Sequence, residues 1–252
     1  MKLKFKFGTK DIEFTVEFKN RKTLAIEVEP SGEVNVISPM GLTENEIVDK
    51  VKTKASWIVK KQYEVRTINI NKINREAVSG ESYLYLGRNY TLQLIIDESI
   101  SDISKPVLNN GTYSLEGIDV KLLRGKFIVT TYIKDESLIK KALENWYREK
   151  ALKKINERLE NYMHFFNSRP STIKVKEQKK RWGSCTSNDE LLFNWRCVMA
   201  PTNVLDYIIV HEMCHMKYKD HSKEFWKLVG DVMPDYEGRR AWLRENGIKL
   251  DL

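Results

Sequence analysis

Apolar and polar residues alternate in short stretches over the first third of the chain, which predicts half-buried β-strands. The predicted strands are Lys2–Phe7, Glu13–Phe18, Thr23–Val28 and Val34–Ile37. Ser31 and Gly32 stand between the last two strands and predict a hairpin turn. From Glu44 to about Val65 the apolar residues recur every three or four positions, so we predict one long helix, capped by Thr43.

A second stretch of short strands follows and leads into a long helix. The predicted strands are Ser82–Leu86, Tyr90–Ile96, Val120–Leu123 and Lys126–Thr131. Helical spacing of apolar residues then runs from Lys134 to about Phe166, and Arg169 and Pro170 end it. The sequence contains no detectable repeat or low-complexity linker. Because the pattern changes near residue 135, we predict a β-rich N-terminal region over residues 1–135 and a second domain over residues 136–252.

The last part of the chain mixes short strands with helices. Its pattern predicts strands at Thr172–Lys176 and Leu191–Val198, a turn region at Trp182–Asp189, and helices at Asn203–Tyr218, from near Ser222 and over Tyr236–Asn246. Separate strand-rich and helix-rich stretches predict an α+β fold.

Composition and charge add only broad limits to this picture. The chain has 252 residues, 41% of them hydrophobic and 31% charged, which is typical of a globular protein with a full hydrophobic core. The formal net charge of +8 permits contact with nucleic acid or other anions, but the lysines are spread along the chain and no nucleic-acid-binding module is recognised. A solvated, lysine-rich surface is the favoured explanation of this charge.

Cysteine usage and hydropathy indicate a compartment. The chain has three cysteines, which is an odd number without C-x-x-C spacing, and this favours a reducing environment. The first residues alternate lysine with apolar residues and lack the continuous apolar stretch of a signal peptide. No segment approaches the roughly 20 apolar residues that a membrane-spanning helix needs. We therefore expect a cytoplasmic protein that does not enter a membrane.

The segment VHEMCHMKYKDHSKEFW holds three of the four histidines and is the strongest chemical signal in the sequence. On a helix, His211 and His215 lie one turn apart on the same face, as two ligands of one metal ion must. Glu212 is rotated by about 100° from His211, so it suits the role of general base better than that of a ligand. The spacing therefore predicts two metal ligands and the base that activates water.

His221 is the natural third ligand, because the helix is expected to end before it and the chain can turn back toward the ion. Zinc accepts imidazole nitrogens, and a catalytic zinc keeps three protein ligands and an open position. A thiolate from Cys214 would instead suit a closed, structural zinc site, so Cys214 is interpreted as a small buried residue. Ordinary hydrogen-bonded histidines are the alternative reading, which this clustering makes unattractive.

Several separate motifs resemble the YgjP-like metallopeptidases, which are related to the SprT-like zincins of the minigluzincin type. They are RWGSC at Arg181–Cys185, LLFNWRCVMAP at Leu191–Pro201, VHEMCH at Val210–His215, HSKEFW at His221–Trp226 and MPDYEGRRAWL at Met233–Leu243. The resemblance implies a compact zincin-like domain with a backing helix, a small antiparallel sheet and the helix that carries H-E-x-x-H. It also implies a strand along the cleft that pairs with substrate, for which Leu191–Val198 is the candidate; a plain core strand is an equal alternative.

The resemblance leaves two substrate classes open. The first is a peptide or protein, cut by a zinc metallopeptidase; the second is a nucleoside triphosphate, cut by a metal-dependent pyrophosphatase or phosphohydrolase, although the sequence has no phosphate-binding glycine loop. A purely structural zinc module is disfavoured by Glu212. Tyr218, Tyr236 and Arg239 are candidates for transition-state stabilisation, and Arg239 and Arg240 form a basic pair. The candidate substrate-binding residues are Lys180, Arg181, Asn194, Tyr236 and Arg239. The sequence leaves the oligomeric state open.

Overall fold

The structure is a computed structural model that describes residues 1–29, 31–70, 75–98, 106–109, 112–115, 117–178 and 181–252. These residues contain helices and small sheets in separate stretches, which confirms the α+β class. They divide into two compact units, Met1–Lys72 and Ile73–Leu252. No helix among them is both long enough and apolar enough to cross a bilayer.

The N-terminal unit is a four-stranded sheet with two helices. The elements are β1 (Lys2–Phe7), β2 (Lys10–Lys19), β3 (Ala25–Val28), β4 (Val34–Pro39), α1 (Glu44–Lys52) and α2 (Ala55–Ile70). The strands lie in the order β1-β2-β4-β3, with β2 and β4 parallel. Alternate residues of β2, such as Ile12 and Phe14, are buried with Ile47 and Val51 of α1. The alternation in the sequence therefore gives one buried face to the sheet.

The single helix predicted over Glu44–Val65 is two helices in the structure. Thr43 caps α1 in a capping box with Glu46, as the sequence predicted for the start. The break lies at Thr53, whose side-chain hydroxyl donates a hydrogen bond to the Lys50 carbonyl at 2.7 Å. A threonine side chain that bonds to the backbone in this way competes with the helical hydrogen bonds. The apolar residues keep their helical spacing across the break, so the sequence pattern did not reveal it.

The second unit begins with another four-stranded sheet and the longest helix. Its elements are β5 (Ser82–Tyr85), β6 (Arg88–Ile96), β7 (Pro106–Asn109), β8 (Thr112–Leu115), β9 (Ile118–Leu123), β10 (Lys126–Thr131) and α3 (Glu136–Glu160). The sheet order is β5-β6-β10-β9, and β7 and β8 form a separate hairpin. Asp135 caps α3 by accepting a hydrogen bond from the Leu138 amide at 3.0 Å.

The division between the units falls at residue 72, whereas the sequence analysis placed a domain boundary near residue 135. The sheet before α3 shares its core with that helix: the Phe127 and Trp146 rings are 4.8 Å apart, and the Tyr147 hydroxyl donates to the Leu84 carbonyl at 2.6 Å. Strand patterns that change into a helical pattern do not mark a boundary when the helix packs on those strands.

The two four-stranded sheets have the same topology. In each, two antiparallel hairpins are joined through their second strands, which run parallel, β2 with β4 and β6 with β10. In each, a helix follows the last strand. The sequence analysis found no repeat, and the likeness is one of strand order only. Parallel pairing joins residues far apart in sequence, so local patterns do not reveal it.

A three-stranded sheet comes next: β11 (Thr172–Lys176), β12 (Gly183–Cys185) and β13 (Glu190–Asn194), in the order β11-β13-β12. It is mixed and not wholly antiparallel, because β11 and β13 are parallel. The predicted strand Leu191–Val198 ends early, since Trp195–Met199 form a 3-10 helix that the Asn194 side chain caps by accepting a hydrogen bond from the Arg196 amide. As the central strand, β13 has no free edge, so the substrate-pairing interpretation of Leu191–Val198 is wrong and its alternative, a plain core strand, is correct.

Three helices complete the unit: α4 (Thr202–Lys217), α5 (Lys223–Val232) and α6 (Tyr236–Asn246). The sequence predicted both ends of α4 and α6, and the start of α5, to within about one residue. Most of α4 is buried, including Leu205, Ile209 and Cys214, and the last agrees with its interpretation as a small core residue. All three cysteines are free thiols. A largely buried α4 therefore supports His211 and His215.

Candidate metal centre

The last turns of α4 carry the first three members of the site. His211 and His215 follow one another along one face of the helix, with ring centroids 4.9 Å apart. Glu212 lies between them in sequence and is 5% exposed. This is the arrangement that the H-E-x-x-H spacing predicts.

His221 is brought back to the site by the loop between α4 and α5. The helix ends at Lys217, Tyr218 is extended, and Ser222 caps α5 by accepting a hydrogen bond from the Phe225 amide. The Tyr218 carbonyl also accepts a hydrogen bond from His215 Nδ1 at 2.9 Å. The loop that positions the third histidine therefore fixes the second, leaving its Nε2 free for a metal.

The three histidines converge through their Nε2 atoms. Nε2 of His221 lies 3.1 Å from that of His211 and 3.2 Å from that of His215, and the three ligand atoms lie within 4.8 Å of one another. Zinc–nitrogen bonds of about 2.0–2.1 Å separate tetrahedral ligands by about 3.3 Å. The two distances from His221 Nε2 match this separation, so the three imidazoles can converge on one metal ion.

Burial keeps His211 and His215 neutral, as metal ligands must be. Burial lowers the pKa of His211 to about 3, with further contributions from His215, His221 and Arg240, and it also lowers the pKa of His215. His211 Nδ1 is buried without a hydrogen-bond partner among the described residues. An uncharged imidazole offers a nitrogen lone pair to a cation, so the donor set suits zinc.

Glu212 occupies a tight space against the backbone of β12. A Cβ on Gly183 would lie 2.6 Å from Glu212 Oε1, so only glycine leaves room for the carboxylate. Its Oε2 has no hydrogen-bond partner among the described residues. Burial raises the pKa of Glu212 to about 8, against the opposing positive charge of Arg181. A carboxylate in this setting binds a proton readily, as a general base requires.

Two aromatic rings of α5 pack against His215 and His221. Phe225 stacks on His215 with centroids 4.4 Å apart, and Trp226 stacks on His221 at 5.6 Å. Both aromatic residues lie on α5, directly after the Ser222 cap. The sequence pattern alone did not indicate a role for them in the site, although their place in the HSKEFW motif was a usable signal.

A cavity of about 930 Å³ opens over the cluster. Its walls include the backbone turn and strand at Arg181–Cys185, the residues Tyr207, Ile208, Lys219, Trp226, Arg240 and Leu243, and the histidines with Glu212. The edge strand along this cavity is therefore β12, which the sequence analysis had placed in a turn region. A strand of three residues containing glycine and serine gives almost no alternating pattern.

Among the described residues, the structure places only some of the predicted substrate-binding residues in the cavity wall. Arg181 lines the cavity. Lys180 lies outside the described residues. Asn194 is buried and donates to the Gln178 carbonyl at 2.7 Å, so it supports the segment before β12 and does not face the cavity.

The other two candidates, Tyr236 and Arg239, also lie outside the cavity wall. Tyr236 stacks on Trp226 with centroids 5.5 Å apart. Arg239 pairs with Asp235 at 2.9 Å and donates to the Asn203 carbonyl at 3.0 Å. Its neighbour Arg240 and the buried Tyr207 line the cavity instead. Sequence spacing alone did not tell which of two adjacent arginines faces the site.

Three histidine nitrogens around one point, with a buried carboxylate beside them and an open cavity above, define a metal-dependent hydrolase. The chain matches the family model described as "YgjP-like, metallopeptidase domain" over residues 22–246. The protein belongs to the YgjP-like metallopeptidase family, as the sequence resemblance indicated.

Similarity to other known proteins is weak. Among solved structures, the chain is similar to the metallopeptidase zymogen of Pyrococcus abyssi abylysin, with 15% sequence identity and a TM-score of 0.35. The similarity covers 39% of this chain and 99% of the other. No curated protein matches the chain.

Proposed function

We propose that the protein is a zinc metallopeptidase in which His211, His215 and His221 hold the ion and Glu212 is the general base. The observation that carries this proposal is the convergence of three Nε2 atoms, with His221 Nε2 at 3.1 and 3.2 Å from the other two. Membership of a metallopeptidase family supports the same conclusion.

Zinc, when bound, would polarise the substrate carbonyl and lower the pKa of water toward about 7. Glu212 accepts the proton of the attacking water and passes it to the leaving amine. The raised pKa of Glu212 supports this role, since burial makes the carboxyl a stronger proton acceptor than an exposed glutamate. Gly183 leaves the carboxylate its space.

Substrate binding is proposed along β12. This strand lies at the end of its sheet, and Gly183, Ser184 and Cys185 line the cavity. An extended peptide that adds to such an edge gains backbone hydrogen bonds that do not depend on its side chains. The scissile bond would then lie across the histidines.

A direct test compares bond classes with purified, zinc-loaded protein. Casein and a mixed peptide library are incubated in one series and the four ribonucleoside triphosphates in another, with mass spectrometry and phosphate release as readouts. We expect peptide products from the wild type and none from Glu212→Gln. Hydrolysis confined to the triphosphates would replace the peptidase by the phosphohydrolase alternative, and equal activity of Glu212→Gln would remove Glu212 as the base.

A further inference from the structure

The cavity over the histidines continues along α6. A second cavity of about 510 Å³ shares four lining residues with the first and adds three of its own. The shared residues are Trp182, Tyr207, Arg240 and Leu243, and the added ones are Glu237, Ala241 and Arg244. The two cavities therefore form one cleft that extends from the metal-binding residues over one face of α6.

The cations that line this cleft differ in their partners. Lys219 is neutralised by Asp189, with Nζ and Oδ1 2.5 Å apart. Arg240 and Arg244 lie one turn apart on α6, and within the described part of the chain neither has a carboxylate at ion-pair distance. Arg239, which points elsewhere, is paired with Asp235. Among the residues that the structure describes, Arg240 and Arg244 are thus the cations of α6 that line the cleft without an ion pair, and Arg181 lines the same cleft ahead of β12.

Arg240 is held in place without an ion pair. Its guanidinium carbon lies 4.5 Å from the centroid of the Trp226 ring, a cation–π contact. Trp226 in turn stacks with His221 and with Tyr236, at an interplanar angle of 20° in each pair. The guanidinium is therefore fixed next to the metal-binding histidines, and its hydrogen-bond donors remain available to a ligand.

We propose that Arg240, assisted by Arg244, forms a subsite that binds a carboxylate of the peptide substrate; this inference rests on the proposed peptidase function. A guanidinium binds a carboxylate through two parallel hydrogen bonds. Trp182 and Leu243 supply apolar walls for the stem of a glutamate side chain. Glu237 lies in the same part of the cleft and disfavours a ligand with several negative charges. The enzyme therefore prefers substrates with an acidic side chain, or a free C-terminus, close to the cleaved bond.

The first test uses zinc-loaded full-length protein and a series of neutral fluorogenic peptides. A glutamate or its isostere glutamine is placed at each position around the cleaved bond, and the C-terminus is either free or amidated. We expect one carboxylate position, in the side chain or at the C-terminus, to raise kcat/KM by about tenfold or more over its neutral counterpart. Equal rates for both at every position would overturn the subsite.

Variants identify the responsible residue. Arg240→Gln is expected to abolish the preference for glutamate, and Arg240→Glu to replace it by a preference for lysine at the same position. Arg88→Gln is the matched control, because Arg88 is exposed on β6 and lines neither cavity, yet the charge change is the same. An undiminished glutamate preference in Arg240→Gln would contradict the assignment.

A binding measurement separates this inference from the proposed function. The same peptides are titrated against Glu212→Gln and against the double variant that also carries Arg240→Gln, with fluorescence anisotropy as the readout. Tighter binding of the glutamate peptide, lost in the double variant, supports the subsite even if the wild type cleaves no peptide. Cleavage without any selectivity in rate or binding leaves the peptidase standing and removes the subsite. Stronger binding of inorganic triphosphate than of the glutamate peptide also overturns the carboxylate assignment.

Discussion

Two buried carboxylates lie on α4, and their surroundings are opposite. Asp206, near the start of the helix, accepts two hydrogen bonds from the Arg158 guanidinium, at 2.7 and 2.6 Å. Glu212, near the end, has an Oε2 atom without a partner among the described residues and a pKa raised to about 8. The two side chains are similarly buried, at 4% and 5% exposure.

The difference distinguishes a buried carboxylate that stabilises the fold from one that can take part in a reaction. A paired and fully bonded carboxylate ties α4 to α3, and removing either member leaves the other unsatisfied. A carboxylate without a partner costs free energy in the folded protein unless a ligand or a proton completes it. The end of α4 that carries the histidines therefore has the features of a reaction site, and the beginning has those of a structural contact.

The largest effect is expected at Glu212. Glu212→Gln keeps the shape of the side chain and removes the proton acceptor, so peptide hydrolysis should fall by about 10²- to 10⁴-fold. The unfolding free energy of the metal-free protein should not fall, because the neutral group replaces a buried carboxylate whose Oε2 has no partner among the described residues. Kinetic assays and urea denaturation measure the two quantities. A loss of stability with activity retained would reverse the roles assigned to the two carboxylates.

The opposite outcome is expected at Asp206. Asp206→Ala leaves the Arg158 guanidinium without its partner and should lower the unfolding free energy by about 3 kcal/mol. Zinc bound per folded molecule should stay unchanged, since the side chain is remote from the histidines in the helix. Denaturation combined with metal analysis tests both statements. As a control, the double variant with Arg158→Ala should lose less stability than the two single losses added together.

A smaller loss of activity is expected when Glu212 is displaced by a substitution at a neighbouring residue. Gly183→Ala would place a methyl group 2.6 Å from the present position of Glu212 Oε1, so the carboxylate must move. A displacement of about 1 Å is expected to reduce kcat by about 100-fold while zinc remains bound. Ser184→Ala, on the same strand, is the control. Normal kcat in Gly183→Ala would show that the position of the carboxylate is unimportant.

The smallest effect belongs to an exposed ion pair in the cleft. Lys219 and Asp189 are 47% and 37% exposed, so water and salt screen their attraction. Asp189→Asn should change the unfolding free energy by less than about 1 kcal/mol. Thermal denaturation at low and high salt tests this. A loss as large as that of Asp206→Ala would mean that burial does not govern the contrast between the pairs.

The sequence predicted the centre of the site better than its walls. His211, Glu212 and His215 stand on one helix, so their geometry follows from helical spacing alone, and His221 needed only a turn after the helix. Arg240 was not preferred over Arg239, because the side of α6 that faces the cleft depends on packing with distant segments. Strand β12 was not predicted, because glycine has a low strand propensity. Gly183 is needed there because a larger side chain would clash with Glu212.

The fold was predicted at the level of elements and less well at the level of pairing. Helices α4 to α6 were located closely, since their apolar stripes and, for α5, the Ser222 cap are local signals. The domain boundary and the order of the sheets depend on contacts such as Phe127 with Trp146, which connect distant parts of the sequence. The strand order shared by the two larger sheets also depends on contacts between distant parts of the sequence.

The central claim is that three imidazoles hold one zinc ion, and zinc stoichiometry of the purified protein tests it most directly. Metal analysis after dialysis should give one zinc per chain for the wild type, for Glu212→Gln and for Asp206→Ala. It should give little or none for His211→Ala, His215→Ala and His221→Ala, each checked for folding by circular dichroism. Full zinc retention in the folded histidine variants would contradict the assigned metal centre.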